Sequence, residues 1–501
     1  MDQETLIERL ATGEGLGGDR PRRIDTHISV IFLTDDRAWK LKRALKTSYL
    51  DYSSVDRRRQ YCENEVAVNR RTAPDIYLGA VPVRLDADGA ISVAEHAEGE
   101  IVDWLVCMRR FDDDLLLSRL AEEGPLPREL CLGMGDAIAR FHRDAERTID
   151  PEASRRILFV LNENREEIAR QAAGILPEGD IARLDTACRE TFGRLATVIN
   201  RRGADGFVRH CLGDMHLRNI CVMDGHPVLF DAIEFNEEIS HIDVLFDLAF
   251  PLMDLIYRGQ ALAANAVFNR YLYRTRDDGD LCLLPLFLAL RAGIRAHTSA
   301  MAGDDGDCCG YAALAQSALD PHPPVLAAVS GLSGTGKSTV AARLAPALGA
   351  APGAAVLSSD LIRKRHLGAD PLDRLGPEGY TREIDETVYG ELFDGAARIL
   401  AGGHAVILDA TFIRPAHREA AAAVAEKAGV PFAGIRLTAD AETLLARVRA
   451  RKNDSSDATE EILQGQLTAP IGPPAWREID AARPLDEIVA DCNRMLLPSP
   501  K

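Results

Sequence analysis

Residues 210 to 220 read HCLGDMHLRNI, a polar, loop-like stretch with an acid and an amide five positions apart, Asp214 and Asn219. Eleven residues further on a second acid, Asp231, closes the apolar run of VLFDAIEF. A carboxylate, an amide and a second carboxylate in that order suit phosphoryl transfer, which needs positioning and charge neutralisation more than covalent chemistry. Asp214 is then the base that takes the acceptor proton, and Asn219 and Asp231 hold a metal bridging the nucleotide phosphates. The cation for those phosphates should come from an upstream strand. In AWKLK, Lys40 and Lys42 lie two apart and so share one strand face; either of them fits the role. Glu65, on the helix-like stretch that follows, is the expected partner of that lysine, with Glu63 as the alternative. His216, between Asp214 and Asn219, fits either a substrate contact or a packed loop histidine.

A second phosphate-handling pattern lies more than a hundred residues downstream. GLSGTGKST, from Gly331 to Thr339, satisfies the spacing G-x-x-x-x-G-K-[ST]. Backbone N–H groups across Ser333, Gly334, Thr335 and Gly336 are expected to wrap the phosphates, with Thr339 following in the helix. Lys337 reaches the β and γ oxygens, and the Ser338 hydroxyl binds Mg²⁺. The helix that the loop opens adds its partial positive charge. Asp360, in SSDLIRK, ends the next strand and is placed to accept a proton from an attacking hydroxyl. Arg363, one helical turn on, orients the acceptor; the bland alternative is a capping Asp beside a surface Arg. Asp409 ends AVILDA and is the expected acid for Mg²⁺ or its water, unless it is only a cap. Arg447 and Arg451 share one helix face before a polar segment, where lid arginines neutralise charge on a transferring phosphoryl group.

Two kinds of scaffold must hold these residues. ISVIFL and RAWKLKRAL read as hairpin strands turning at TDD, followed by the basic helical stretch VDRRRQYCENEVAVNRRTA and strands near GAVPV and WLVCMRRF. Residues 112 to 200 are mostly helical. The Asp/Asn loop, a strand pair around GHPV and long helices to about 302 complete an α+β, two-lobed first part. Residues 301 to 324 cluster Gly and Asp at one end and prolines at the other around a short Ala-rich helix. From residue 325 strands (VLAAVS, AAVLSS, AVILDA, PFAGIRL) alternate with helices, the pattern of a doubly wound parallel α/β sheet. The expected division is 1–310, a linker over 311–324, and 325–501.

Composition narrows the class. The chain has 501 residues, 46% hydrophobic and 27% charged, so two or three domains are expected. The net charge of −18 is uneven: 39 basic against 54 acidic residues precede Pro321, and 20 against 23 follow. An acidic surface disfavours non-specific nucleic-acid binding. Ten cysteines show no CxxC pairs, arguing against zinc or a disulfide framework. The start, MDQETLIERL, lacks a basic n-region before an apolar segment, and the longest apolar run, LCLLPLFLAL, is too short to span a bilayer. A cytoplasmic protein without a membrane partner is expected; oligomeric state is open.

With these motifs in view, residues 325 to about 470 resemble the P-loop small-molecule kinases that include gluconate kinase, adenylylsulfate kinase, polynucleotide 5′-kinase and zeta-type toxins. The shared marks are the Gly loop, SSDLIRK, ILDATFIRPAHR and the RKNDSSDAT segment. That resemblance implies a P-loop NTPase fold and transfer of the ATP γ-phosphate to a hydroxyl. Residues 20 to 300 resemble the aminoglycoside-phosphotransferase-like family, on Asp214-x4-Asn219 and on THISVIFL, KLKRAL, NRRTAPDIYLG and FDLAF. The resemblance implies a bilobal protein-kinase-like fold, and makes Asp243 and Asp247 supports of the catalytic loop. The family carries a His before the Gly-Asp that steadies the loop; here Leu212 stands there and His210 lies two residues upstream. The combined reading is a bifunctional ATP- and Mg²⁺-dependent phosphotransferase acting on sugar-, polyol- or aminoglycoside-like hydroxyls. The rival readings are a P-loop kinase regulated by a non-catalytic nucleotide- or metabolite-binding N-terminal part, a nucleic-acid 5′-kinase, and a toxin-like nucleotide-sugar kinase.

Overall fold

A computed structural model of the chain describes residues 1–17, 20–46, 50–450, 459–469 and 476–496. The contacts divide it into two compact units, Met1–Glu166 with Arg194–Asp254, and Glu167–Gly193 with Leu255–Lys501. The second unit therefore begins well upstream of the Pro-rich stretch.

The first unit opens with a six-stranded antiparallel sheet. Its strands are β1 (Arg22–Asp25), β2 (Ser29–Leu33), β3 (Arg37–Lys42), β4 (Tyr77–Leu85), β5 (Ile91–Val93) and β6 (Glu100–Arg109), in the order β1-β2-β3-β6-β4-β5. Side chains alternate across β3. Trp39 and Leu41 point to a core shared with Leu6, Ile7 and Leu10 of the N-terminal helix Gln3–Ala11. Lys40 and Lys42 point to the other face, which the helix Val55–Asn69 covers with Cys62 and Val66. The N-terminal helix and β1 are additions to the sequence reading.

Three further strand pairings frame the polar loop. β7 (Arg147–Thr148), β8 (Val208–His210) and β11 (His241–Asp243) form a sheet in the order β11-β8-β7, while β9 (Ile220–Met223) and β10 (His226–Leu229) form a hairpin. The loop carrying Asp214 and Asn219 is thus pinned at both ends, by β8 before it and β9 after it. Asp231 follows the end of β10 by two residues.

The second unit holds a five-stranded parallel sheet of β12 (Leu326–Gly331), β13 (Ala355–Ser358), β14 (Val406–Asp409), β15 (Phe432–Thr438) and β16 (Arg477–Asp480), in the order β13-β14-β12-β15-β16. β12 lies at the centre and is buried along its whole length, which explains its unbroken apolar character. β16 shows only Ile479 to the core, so no hydrophobic run marks it in the sequence. The helix Ala261–Thr275 binds the edge strand β13: Asn265 Nδ2 donates to Pro352 O and Ala354 O (both 3.1 Å), and Asn269 Oδ1 accepts from Val356 N at 2.6 Å. Residues 305–318 are helical, and Tyr311 stacks on Tyr257 at 3.7 Å. The apolar run LCLLPLFLAL is part of a longer helical span, Leu281–Met301, which by length and composition alone could cross a membrane, but 67% of its apolar window is buried in the protein, as in a core helix. All ten cysteines are free thiols.

Candidate active sites

In the first unit the structure brings together Lys40, Lys42, Glu65 and Asp231. Lys40 Nζ lies 2.9 Å from Glu65 Oε1 and 2.8 Å from Asp231 Oδ1. Lys42 Nζ bonds the other Glu65 oxygen and also Glu234, whose carboxylate accepts from the Tyr52 hydroxyl at 2.8 Å. Burial alone would raise the Glu65 carboxyl, but the two ammonium groups outweigh it and hold it at about 2. Burial likewise opposes charge on Lys40, and Asp231 and Glu65 overcome it, raising that ammonium well above its ordinary value. The two lysines differ in access. The Lys42 side chain is 1% exposed and enclosed by its partners, whereas that of Lys40 is 13% exposed and reaches Asp231. Glu63 instead pairs with Arg59 on the helix surface. Glu234, Tyr52 and Tyr77 were not singled out from the sequence.

Asp231 has a left-handed backbone, φ 61°, unusual for a residue with a Cβ. Neighbours hold it there: its N–H donates to the Tyr77 hydroxyl at 3.2 Å, and the next N–H, of Ala232, donates to Asn69 Oδ1 at 2.8 Å. Asn219 Nδ2 donates to the Asp214 carbonyl at 2.8 Å and lies 3.4 Å from its carboxylate, so acid and amide are set side by side. His216 Nε2 is 3.6 Å from the same carboxylate, and its ring meets Phe250 edge-on.

Leu212 does not leave the loop unsupported. Its side chain is fully buried, and the backbone N–H groups of Leu212 and Gly213 donate to Asp247 at 3.2 and 3.0 Å. His142, from the helix Arg128–Asp144, lies 3.2 Å from the same carboxylate, supplying an imidazole from outside the loop. Gly213 has φ 83°, and a Cβ there would meet the Ile239 carbonyl at 2.6 Å, so the turn requires glycine. Asp243 is paired with buried Arg202 at 2.7 Å, and Asp254 takes the Leu217 N–H at 3.0 Å. Of the two acids expected to support the loop, Asp247 bonds it directly, whereas Asp243 holds Arg202 and the Leu245 N–H instead; His142 and Asp254 carry no local motif that reveals them. His142, Cys211 and Asp247 form a buried group with metal-ligand chemistry, but the Asp247 oxygens are taken by the loop N–H groups and His142.

In the second unit the loop from Gly331 to Gly336 joins β12 to the helix Lys337–Leu344. Gly334 has φ 92°, and a Cβ on it would lie 2.9 Å from the Leu444 carbonyl, so only glycine lets the loop pass. Ser333 N donates to Gln466 Oε1 at 2.9 Å, and the Thr335 hydroxyl donates to the Leu332 carbonyl at 2.8 Å. Lys337 is buried, 5% exposed. The Ser338 hydroxyl donates to Asp409 Oδ2 at 2.7 Å, while Asp409 Oδ1 is buried without a partner. Burial raises the Asp409 carboxyl, with Lys337 and Ser338 opposing and the nearby Asp360 charge reinforcing the rise. A hydroxyl and an orphaned carboxylate oxygen side by side are hard oxygen donors that fit Mg²⁺. Arg447 lies behind the loop, with Nη1 3.5 Å from the Gly334 carbonyl and Nη2 2.9 Å from that of Ala481. Thr339 is exposed on the first turn of the helix. Arg451 lies outside the described residues.

Asp360 and Arg363 share the helix Ser359–His366 that leaves β13. Arg363 is 5% exposed, donates to the Gly379 carbonyl at 2.8 Å and to Asp385 at 2.5 Å, and stands over the Tyr380 ring. It is therefore not a surface arginine.

Residues 326–469 match the sequence model of the AAA domain family. Uncharacterized proteins of Mycobacterium tuberculosis (strain H37Rv) and Mycobacterium bovis are each 28% identical over 481 residues, 93% of this chain and 93% of their own length. Among solved structures, a gluconokinase from Sinorhizobium meliloti is 23% identical, with 35% of this chain and 95% of that one covered and a TM-score of 0.26. A choline/ethanolamine kinase family protein from Mesorhizobium loti is 12% identical, with 64% and 95% covered and a TM-score of 0.39. Aminoglycoside 2′-phosphotransferase-IIIa in its GDP complex is 10% identical, with 64% and 99% covered and a TM-score of 0.38.

Proposed function

We propose that this chain, which joins an aminoglycoside-phosphotransferase-like domain to a P-loop kinase domain, is an ATP-dependent phosphotransferase with two sites, each moving the γ-phosphate to a hydroxyl of a small molecule. The observation that carries the reading is the pairing, within each unit, of a lysine with an acid suited to a metal: partly exposed Lys40 with Asp231, and buried Lys337 with Asp409. In the first unit Lys40 binds phosphate oxygens, Glu65 orients it, Asp214 takes the acceptor proton, and Asn219 and Asp231 hold the cation. In the second, the loop N–H groups and Lys337 bind phosphate, Ser338 and Asp409 hold the cation, and Asp360 takes the proton of a hydroxyl oriented by Arg363. Mg²⁺, when bound, neutralises charge on the phosphates. The Asp247 anchor on Leu212 and Gly213 favours a working first site over a purely regulatory one, because it supplies the support that residue 212 lacks. The net charge of −18 speaks against a nucleic-acid acceptor.

Calorimetric titration of the full chain with a non-hydrolysable ATP analogue and Mg²⁺ tests this. Two equivalents are expected, with Lys337→Ala and Lys40→Met each removing one. A chain that binds none, or whose single equivalent resists both substitutions, refutes the proposal.

A further inference from the structure

We infer that the hydroxyl acceptor of the P-loop site is an uncharged polyhydroxyl compound, recognised by Arg363 through a directed hydrogen bond rather than through net charge; this rests on the P-loop kinase reading above. Arg363 is the cation nearest in sequence to Asp360, one helical turn away, and its charge is already matched. Nη2 is 2.5 Å from Asp385 and Nη1 is 2.8 Å from the Gly379 carbonyl, with the Tyr380 ring packed on the guanidinium. The Nε–H remains buried and without a partner. A buried donor left unmade is costly, so a ligand oxygen that meets it is strongly favoured.

The surrounding charges are matched in the same way. Glu386, next to Asp385, takes Arg414 Nη1 at 2.5 Å and lies 3.7 Å from His417 Nε2. His417 stacks on Tyr389 at 3.7 Å, and the Tyr389 hydroxyl takes the N–H of Phe412, three residues past Asp409, which ties the cluster to the end of β14. Burial and the neighbouring Arg414 push the His417 pKa down, favouring the neutral imidazole, against the pull of Glu386 and Asp385. Among the described residues the cluster thus matches two cations, Arg363 and Arg414, with two carboxylates, Asp385 and Glu386. An anionic acceptor would find no unmatched cation in this cluster. It would also have to break the Arg363–Asp385 pair and leave a half-buried carboxylate unmatched. A hydroxyl or ether oxygen requires neither.

The test uses the full chain carrying Asp214→Ala, so that labelled product reports the P-loop site. D-Glucitol, D-glucose, D-gluconate, D-glucosamine and D-glucose 6-phosphate are compared with ATP labelled at the γ-phosphate. The uncharged members should exceed gluconate and the sugar phosphate at least tenfold in kcat/KM. Asp385→Asn, which unmasks the guanidinium, should narrow that ratio at least fivefold. Arg363→Lys keeps the charge but loses the directed N–H, and should raise the acceptor KM at least tenfold while leaving the KM for ATP unchanged. Preference for an anion or for the amino sugar, or a ratio that Asp385→Asn does not move, overturns the inference. So does the absence of any Lys337-dependent product while nucleotide still binds; loss of nucleotide binding as well removes the kinase reading itself.

Discussion

Lys40 and Lys42 differ by two positions and share Glu65, yet their surroundings assign them different tasks. Lys40 meets Asp231 at the accessible end of the network, while Lys42 is closed in by Glu65, Glu234 and Tyr52. Lys40→Met should therefore remove nucleotide binding by the first unit and lower its turnover by two or more orders of magnitude, with little change in melting temperature. Lys42→Met should act on stability instead, because it leaves Glu65 and Glu234 facing each other with one cation fewer. Breaking a buried pair typically costs about 3–5 kcal/mol. Thermal melts of both variants, set beside nucleotide titrations, check the assignment; the opposite pattern would transfer the phosphate role to Lys42. Sequence spacing placed both lysines on the correct face but could not choose between them. The choice depends on Glu234 and Tyr52, which are distant in sequence and belong to no motif with fixed spacing.

At the scale of elements, the legible parts are those with strong local periodicity. The hairpin of β2 and β3, the central strand β12 and the loop-to-helix junction at Lys337 all form where apolar alternation, or an apolar run followed by glycines, marks them. β1 and β16 escaped because each is four residues long and mostly exposed. The helix Ala261–Thr275 was legible as a helix but not as part of the P-loop unit, since its binding to β13 depends on Asn265 and Asn269 meeting backbone groups some 87 residues away. The same clamp holds a titratable group. His404 Nε2 donates to the Gly353 carbonyl at 2.9 Å, and the ring meets Phe268 of that helix edge-on. Burial pushes its pKa from the ordinary 6.5 down to about 4. Below 6.5 the unfolded chain binds a proton that the folded chain refuses, so stability is complete above about 6.5 and falls as pH drops towards 4, by up to about 3 kcal/mol. His297, partly buried and lowered to about 4 chiefly by desolvation, adds in the same sense. Melting of the full chain between pH 7.5 and 4.5 should show this loss, and His404→Gln, which keeps a donor but cannot titrate, should flatten it. A slope unchanged in that variant would show that His404 does not titrate over this range.

At the scale of the whole molecule, the residues proposed for the two sites divide between the two units. Asp214, Asn219, Asp231, Lys40 and Glu65 all belong to the first unit, and the P-loop, Asp360, Arg363 and Asp409 all belong to the second. If both sites turn over, inactivation must be separable. Asp214→Ala should eliminate one phosphorylated product, and Lys337→Ala another, each leaving the remaining rate within about threefold. Losses of two or more orders of magnitude are expected at the site that is hit, since a missing general base typically costs that much. The measurement is mass-resolved product formation from a pooled set of hydroxyl compounds and γ-labelled ATP, with the full chain in every arm, because the helices over 261–318 pack within the P-loop unit and a chain starting near residue 320 would lack them. Loss of every product in Lys337→Ala, with Asp214→Ala altering none, would make the first unit a regulatory nucleotide- or metabolite-binding module. The anchor that Asp247 and His142 give to Leu212 and Gly213 favours independent loss, because it holds Asp214 in place without the histidine that precedes Gly-Asp in the resembled family.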